Sequence, residues 1–324
     1  MTISREQAAW FRQTFDQLTD NIEKAVLGKR HVVRLTLTCL LSEGHMLLED
    51  FPGTGKTMLA RALANTVQGS HARIQFTPDL LPSDVTGVTV YDQHKGTFDF
   101  HPGPIFHTIV LADEINRASP KTQSALLEVM EEGRVTVDGR PHDVGRPFMV
   151  IATQNPIEQA GTYRLPEAQL DRFLMKSSVG YPDKAATIEL LVNAKVRDRA
   201  SLVTPVITSQ AIAQMSALAD EVYVDPAVIG YVAELAEESR RQPHVKLGLS
   251  ARGCLGFIRV AKTWAAADGR DHVVPDDIRT LAVPVLCHRI LLDAEAQFTG
   301  VTVDTVIARL LDAVAPPTDR VVTA

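Results

Sequence analysis

Apolar residues recur at two spacings along this chain, and each spacing predicts a different kind of element. Between residues 5 and 25 they follow a period of about 3.6 residues, which predicts an amphipathic helix capped by Ser4 and Gln7. Shorter apolar runs follow, and helical patterns such as 56–67 and 121–132 separate several of them. Because strands that alternate with helices form a sheet covered on both faces, the pattern predicts a parallel sheet. Its strands are predicted at residues 46–48, 73–76, 109–112, 149–152 and 175–179.

Two pairs of short strands interrupt this alternation. Residues 88–91 and 96–100 flank a polar turn, and residues 134–137 and 142–144 flank Asp138-Gly139, a dipeptide typical of hairpin turns. Beyond Pro182 the strand signal fades, and residues 207–315 are predicted to be almost wholly helical. The pattern therefore predicts an α/β domain with two β-hairpin insertions, followed by an all-α domain. The predicted domains are residues 1–204 and 205–324.

The composition limits the classes of function that fit. A chain of 324 residues with 45% hydrophobic residues has room for two domains and a sizeable core. No apolar run reaches the roughly 18–20 residues of a membrane span, and the polar start of the chain lacks a signal-peptide pattern. Because the three cysteines are far apart, we expect reduced thiols in the cytoplasm. A net charge of −6 argues against nucleic-acid binding, and the ten histidines show no metal-ligand spacing.

The segment between the first strand and the next helix, residues 49–57, reads EDFPGTGKT. A glycine-rich loop in this position binds nucleotide phosphates, because its backbone N–H groups surround the anion and the helix N-terminus points at it. Lys56 is expected to neutralise β- and γ-phosphate oxygens, and the Thr57 hydroxyl to ligate Mg²⁺. The usual pattern has glycine where this chain has Asp50. The candidate nucleotide-binding residues are Pro52, Gly53, Thr54, Gly55, Lys56, Thr57 and Met58.

Two later strands end in residues suited to hydrolysis of a nucleoside triphosphate. Asp113 and Glu114 follow the strand at 109–112. At the carboxyl edge of a parallel sheet, Asp113 is expected to hold Mg²⁺, directly or through water, and Glu114 to polarise the attacking water. Asn155 follows the strand at 149–152, where it either orients that water or occupies a turn before proline. The order of these signals along the chain favours the catalytic interpretation.

Two arginines are candidates for contacts with the γ-phosphate. Residues 165–173 are expected to form a short helix, which Pro166 opens at its first position and which carries Arg172 just before the last strand. Such an arginine is usually a surface residue, but in a ring-forming ATPase it reaches into the neighbouring site. Arg252 stands near the start of a helix capped by Ser250, which alone is a weak indication of phosphate contact.

These motifs together make the chain similar to the AAA+ ATPases, and specifically to the MoxR family. The similarity covers roughly residues 20–315. Beyond the phosphate loop it is carried by the segments 76–84 (FTPDLLPSD), 113–118 (DEINRA), 154–156 (QNP) and 166–173 (PEAQLDRF). The resemblance implies an AAA+ P-loop core whose five-stranded parallel sheet has the order 5-1-4-3-2, followed by an all-α lid domain. It also implies that Asp50 is tolerated in the loop.

The resemblance further assigns roles to individual residues. It implies a Walker A motif at 53–57, a Walker B motif at Asp113-Glu114, sensor 1 at Asn155, an arginine finger at Arg172 and sensor 2 at Arg252. Val26 and Gly28 fall where relatives contact adenine. Whether Arg252 acts on the nucleotide of its own subunit or of a neighbour stays open.

Family resemblance implies a homo-hexameric ring that hydrolyses ATP to ADP with Mg²⁺ and remodels or matures protein complexes. A separate protein with a von Willebrand factor A domain is expected to deliver the clients. Two alternatives are a nucleic-acid motor and a slow nucleotide switch. The first is disfavoured because few basic residues stand near the hairpin turns, and the second because Glu114 and Asn155 are both present.

Overall fold

The computed structural model describes residues 2–155, 162–193, 195 and 198–317. The chain starts with two helices and then alternates strands with helices, as the apolar spacing predicts. The strands are β1 (Met46–Glu49), β2 (His71–Gln75), β3 (Gly87–Asp92), β4 (Thr97–Pro102), β5 (Ile109–Asp113), β6 (Arg134–Val137), β7 (Arg140–Asp143), β8 (Met149–Gln154), β9 (Met175–Ser177), β10 (Val245–Leu247) and β11 (Leu291–Leu292). The helices are α1 (Arg5–Glu23), α2 (Arg30–Leu41), α3 (Lys56–Thr66), α4 (Pro82–Thr86), α5 (Pro120–Glu132), α6 (Glu167–Leu170), α7 (Lys184–Val192), α8 (Ser209–Asp220), α9 (Pro226–Arg241), α10 (Ala251–Ala267), α11 (Pro275–Leu286), α12 (Ala294–Thr299) and α13 (Val303–Ala313).

The central sheet has five strands in the order β2-β5-β8-β1-β9. The pairs β2–β5, β5–β8 and β8–β1 are parallel. Every residue of β5 is buried, as in a strand covered on both faces, whereas the edge strand β2 is largely exposed. Read in chain order the sheet is 5-1-4-3-2, so the predicted strand order and the α/β fold class are confirmed.

Register in this sheet decides which side chains meet at its carboxyl edge. Gln75 pairs with Asp113, and Leu48 pairs with Thr153. Ala112 pairs with Ala152, which brings Asp113 beside Thr153 at the next step along the two strands. Polar side chains at the ends of three neighbouring strands therefore lie side by side, next to the loop that leaves β1.

The two predicted hairpins are present as antiparallel pairs, β3–β4 and β6–β7. In the turn between β6 and β7, Asp138 and Gly139 both have positive φ, 49° and 76°, as the Asp-Gly dipeptide predicts. The hairpins contact each other where the rings of Phe100 and His142 stack with centroids 4.0 Å apart. The N-terminal capping box is also present: Ser4 N–H donates to Gln7 Oε1 at 2.8 Å, and Gln7 N–H to Ser4 Oγ at 3.2 Å.

Some elements differ from the predictions. The region predicted as almost wholly helical contains the short antiparallel pair β10–β11, and the six-residue helix α12 lies between β11 and α13. Helices α4 and α7 were also not predicted. Four of the nine residues of α7 are large, apolar and exposed, so the helix has no apolar stripe from which a period can be read: Ile188, Leu190, Leu191 and Val192. Within the described residues, no helix combines the length and apolarity needed to cross a bilayer.

The chain divides into two compact units. One comprises Phe15–Phe173 and Ser177–Met215, and the other comprises Met1–Thr14, Leu174–Lys176 and Ser216–Ala324. In the second unit, α10 contacts both α9 and α11, and Phe257 of α10 is fully buried. The predicted boundary between residues 204 and 205 stays a prediction. Met1 and residues 318–324, at the ends of the two predicted domains, lie outside the described residues.

Candidate active site

The loop between β1 and α3 has the conformation that phosphate binding needs. Gly53 and Gly55 have φ values of 82° and 96°, in the left-handed region that favours glycine. A Cβ atom built on either glycine meets no atom within 4 Å, so the backbone torsion, and not lack of space, is what requires glycine here. The loop therefore curls beneath open space at the N-terminus of α3. This is a cradle that fits an anion.

Lys56, the first residue of α3, is held over this loop. Its Nζ donates to the carbonyl oxygens of Asp50 and Phe51, both at 3.1 Å. Backbone carbonyls are weaker partners for an ammonium group than phosphate oxygens, because they carry no net charge. The lysine is thus poised to exchange these two carbonyls for a bound phosphate.

A cleft of about 410 Å³ lies above the loop and brings most of the predicted site together. The predicted Walker A residues, both Walker B acids and Asn155 all line it, and Arg73 and Thr153 join them. Pro156, the residue after Asn155 in the QNP segment, lies outside the described residues. The lining residues are Asp50, Pro52, Gly53, Thr54, Gly55, Lys56, Thr57, Met58, Arg73, Asp113, Glu114, Thr153 and Asn155.

Asp113 lies at the carboxyl end of β5 and is almost fully buried. Its Oδ1 accepts a hydrogen bond from Thr153 Oγ1 at 2.6 Å. Its Oδ2 accepts from Nη2 and Nε of Arg73, at 2.6 and 3.2 Å. Both oxygens of the predicted Mg²⁺ ligand are therefore already engaged, one by a hydroxyl and one by a cation.

Glu114 is the residue after β5 and has a left-handed backbone, with φ 57°. Its N–H donates to Thr153 Oγ1 at 2.9 Å, which fixes the main chain beside Asp113. Its Oε2 accepts from Gln75 Nε2 at 2.8 Å and from Arg117 Nη1 at 3.0 Å. These two donors hold one oxygen of the Glu114 carboxylate in place at the edge of the cleft.

Arg73, Gln75, Thr153 and Arg117 were not among the predicted site residues. Arg73 and Gln75 lie two residues apart on β2, so both point to the face that carries Asp113. The alternation of side chains between the two faces of a strand could have placed Arg73 and Gln75 on the same face. To place that face next to Asp113, one also has to know that β2 pairs with β5, which the local sequence does not specify.

Four other predicted residues are not among those that line the cleft: Arg172, Arg252, Val26 and Gly28. Arg172 follows α6, and its Nε forms an ion pair with Glu131 Oε2 at 3.1 Å, with 28% of the arginine side chain exposed. Helix α6 starts at Glu167, so Pro166 is its N-cap and not its first residue. Arg252 is exposed in the first turn of α10, where Ser250 Oγ accepts from Gly253 N–H at 2.9 Å. It belongs to the second compact unit.

Val26 and Gly28, the predicted adenine contacts, lie in the connection between α1 and α2. Val26 is buried, and Gly28 has φ 67°. A Cβ on Gly28 would lie 3.2 Å from the Cβ of Ala186 in α7. The connection is therefore packed against the start of α7, and contact with a base stays a prediction.

The side chains of the cleft also fit a magnesium ion. Thr57 supplies a hydroxyl and Asp113 a carboxylate, and Mg²⁺ in nucleotide sites is held by such oxygens together with phosphate oxygens and water. The partners of Asp113 leave the choice between direct and water-mediated contact open.

Comparison with known proteins gives a consistent family. Residues 45–175 match the model of the ATPase family associated with various cellular activities (AAA), and residues 237–310 match an AAA lid domain. The chain is 46% identical over 301 residues to protein YeaC of Bacillus subtilis, covering 93% of this chain and 94% of YeaC. It is 38% identical over 313 residues to chaperone MoxR1 of Mycobacterium tuberculosis, covering 94% of this chain and 82% of MoxR1. A crystal structure of a Cytophaga hutchinsonii protein superimposes with a TM-score of 0.90 at 36% identity, over 97% of this chain and 98% of that one.

Proposed function

This chain belongs to the MoxR family of AAA+ ATPases, and on that premise we propose that it hydrolyses Mg²⁺-bound ATP in the cleft above the phosphate loop to remodel client proteins. ATPase activity and a chaperone-like role follow from the family. The observation that supports the proposed site is the convergence of Lys56, Asp113, Glu114 and Asn155 on one cleft.

Each part of the cleft has a proposed task. The loop N–H groups and Lys56 bind the phosphates, while Thr57 and Asp113 would hold Mg²⁺, which would supply positive charge to the transferred phosphoryl group. Glu114, whose Oε2 is held by Gln75 and Arg117, takes a proton from the attacking water, and Asn155 orients that water. ADP and phosphate are the products.

The hairpin β3–β4 is the proposed contact with clients. Tyr91 and Phe98, which pair across the strands, are 50% and 70% exposed, and Val90 on the opposite face is 46% exposed, so the hairpin offers apolar side chains to a polypeptide. Lys95 in its turn pairs with Asp92 and Asp99 at 3.4 and 3.1 Å. The hydrogen bond to Asp99 raises the pKa of Lys95, so the amine stays charged but is already neutralised locally. That arrangement favours a protein client over a nucleic-acid backbone.

The assembly is proposed from family membership. We expect a homo-hexameric ring in which Arg172 reaches the ATP of the next subunit. Arg252 is expected to act as sensor 2, on the nucleotide either of its own subunit or of the neighbouring subunit. A protein with a von Willebrand factor A domain is the expected adaptor, and the cytoplasm the expected location.

Two substitutions test the site. Lys56→Ala is expected to abolish ATP binding, since it removes the amine that pairs with the phosphates. Glu114→Gln is expected to keep ATP bound while kcat falls on the order of 10²-fold, the typical contribution of a general base. Equilibrium binding of fluorescent ATP and steady-state phosphate release measure the two effects.

Exposed residues away from the cleft provide the controls. Lys121→Ala and Glu43→Gln make the same chemical changes on the surface and should leave both measurements unchanged. Equal turnover in wild type and Glu114→Gln would contradict the proposed mechanism. Normal ATP affinity in Lys56→Ala would contradict the proposed phosphate site.

A further inference from the structure

Asp50 places a carboxylate at the start of the phosphate loop, where the usual motif has glycine. The residue is only 3% exposed. A buried acid beside an anion site is costly unless its charge is satisfied by hydrogen bonds or a cation. The contacts of Asp50 therefore decide whether it interferes with phosphate binding or supports it.

Both oxygens of Asp50 are satisfied by one segment, residues 178–180. Its Oδ1 accepts from Ser178 Oγ at 2.8 Å and from Gly180 N–H at 2.9 Å. Its Oδ2 accepts from Val179 N–H at 2.6 Å. Hydrogen bonds to a charged group are the stronger kind, and three of them converge here on one buried carboxylate.

The next residue of the loop contacts the same segment. The ring of Phe51 stacks on that of Tyr181, with centroids 6.1 Å apart and planes 13° from parallel. Residues 178–181 connect β9 with α7, and Gly180 turns the chain there with φ 64°. Two consecutive loop residues are thus fixed to the strand-to-helix connection, one by its charge and one by its ring.

Lys56 links this contact to the bound nucleotide. In the structure its Nζ donates to the carbonyls of Asp50 and Phe51, the two residues that hold residues 178–181. A phosphate that takes over the amine removes both of these hydrogen bonds from the same backbone. Phosphate binding therefore changes the hydrogen bonds of the two residues, Asp50 and Phe51, that contact the strand-to-helix connection.

We propose that Asp50 is a positioning residue, which fixes the phosphate loop to residues 178–181 and makes that connection respond to nucleotide. The assignment rests on the phosphate-binding role of the loop proposed above. A glycine at this position supplies none of the three hydrogen bonds. It would leave the buried N–H of Val179, the partly buried N–H of Gly180 and the Ser178 hydroxyl without their acceptor.

Hydrogen exchange at Val179 and Gly180 provides the direct test, because their amide protons point at Asp50. In wild type, ADP should slow exchange of these two amides about tenfold, because a loop held on the phosphates keeps the Asp50 carboxylate in place and suppresses local opening, although Lys56 has left the two carbonyls. In Asp50→Asn, whose amide group opposes a backbone donor, exchange should be fast with or without ADP. The KM for ATP should rise about tenfold while kcat changes less than twofold, because binding geometry is lost and Glu114 is untouched.

Two further variants supply a milder perturbation and a control: Ser178→Ala and Asp225→Asn. Ser178→Ala removes one of the three donors and keeps both amides, so it should shift KM in the same direction by a smaller factor even if Asp50→Asn folds poorly. Asp225 caps α9 by accepting from Ala227 N–H at 2.8 Å, and its asparagine variant should leave KM and exchange at 179–180 unchanged.

Two results would overturn the assignment. One is a wild-type KM in Asp50→Asn and Ser178→Ala. The other is faster exchange at 179–180 that still slows normally with ADP, since this indicates a purely structural contact. If Lys56→Ala binds ATP normally as well, the phosphate site itself is wrong. If only the Asp50 and Ser178 variants behave as wild type, the site stands and the positioning role falls.

Discussion

Two cations would compete for the carboxylate of Asp113: Arg73, which contacts it in the structure, and the proposed Mg²⁺ ion. Nη2 of Arg73 lies 2.6 Å from Oδ2 of Asp113. The Asp113 side chain is also the proposed ligand of Mg²⁺, directly or through water. About half of the Arg73 side chain is exposed, whereas that of Asp113 is 12% exposed, so the arginine is the partner that is free to leave. Loading of the metal should then include the cost of displacing this guanidinium.

Removing Arg73 should therefore lower the Mg²⁺ concentration at which the ATPase is half-saturated. Arg73→Met keeps the aliphatic stem, frees Oδ2 and should shift this concentration down about three- to tenfold, which is the scale of one charge-assisted hydrogen bond. Magnesium titrations at saturating ATP measure it. Arg134→Met, at an exposed arginine paired with Glu132, is the matched control. An increase in the Mg²⁺ requirement would mean that Arg73 helps to assemble the metal site.

Residues whose role depends on local sequence were predictable, and residues whose role depends on register were not. Gly53 and Gly55 were predictable from the local sequence, because a left-handed backbone at the start of a helix favours glycine. Arg73 and Gln75 look like ordinary exposed residues of an edge strand until β2 is paired with β5. Asp50 was visible as a departure from the motif, but its partners lie about 130 residues further along the chain.

Among the elements, the hairpin β3–β4 presents apolar side chains to solvent at some cost in solubility. Tyr91 and Phe98 pair across the strands with ring centroids 5.0 Å apart and remain half or more exposed. An exposed aromatic pair on a two-stranded element, which has little core of its own, is expected where a partner covers it.

Serine in place of both aromatics should separate client binding from ATP hydrolysis. The double variant Tyr91→Ser, Phe98→Ser removes apolar area that binding buries, so its affinity for unfolded casein should fall about tenfold or more. Basal ATPase should stay within twofold of wild type, since neither residue lines the cleft. Fluorescence anisotropy of labelled casein and phosphate release measure the two. Leu247→Ser, at an exposed leucine of β10, is the control. Unchanged casein affinity would exclude this hairpin as the client contact.

Elements were predictable where burial imposes a period. Strands β5 and β8 are continuous apolar runs because both of their faces are covered, and their predicted starts match the structure. Helix α7 gave no such signal because apolar side chains face solvent instead of a single core side. The pair β10–β11 has strands of three and two residues, too short for alternation to stand out from the surrounding helices.

At the scale of the whole molecule, the position of Arg172 supports action on a second subunit. It does not line the cleft of its own chain, and it pairs with Glu131 on the surface of α5. Both side chains are partly exposed, at 28% and 43%, so this ion pair contributes less than about 1 kcal/mol and can be exchanged for a phosphate. Arg172→Ala should accordingly fold normally, and Glu131→Ala removes the same pair while keeping the arginine.

Mixing two inactive variants tests whether Arg172 acts in trans. Arg172→Ala subunits bind ATP but lack the arginine. Lys56→Ala subunits cannot bind ATP but keep Arg172. If the arginine serves the neighbouring site, a 1:1 mixture should recover about a quarter of wild-type turnover, the fraction of sites with an intact pocket beside an intact arginine. Glu131→Ala alone should remain active, which shows that the ion pair is not what matters. If differently tagged subunits co-purify in mixed assemblies and turnover does not recover, Arg172 does not act across a subunit boundary.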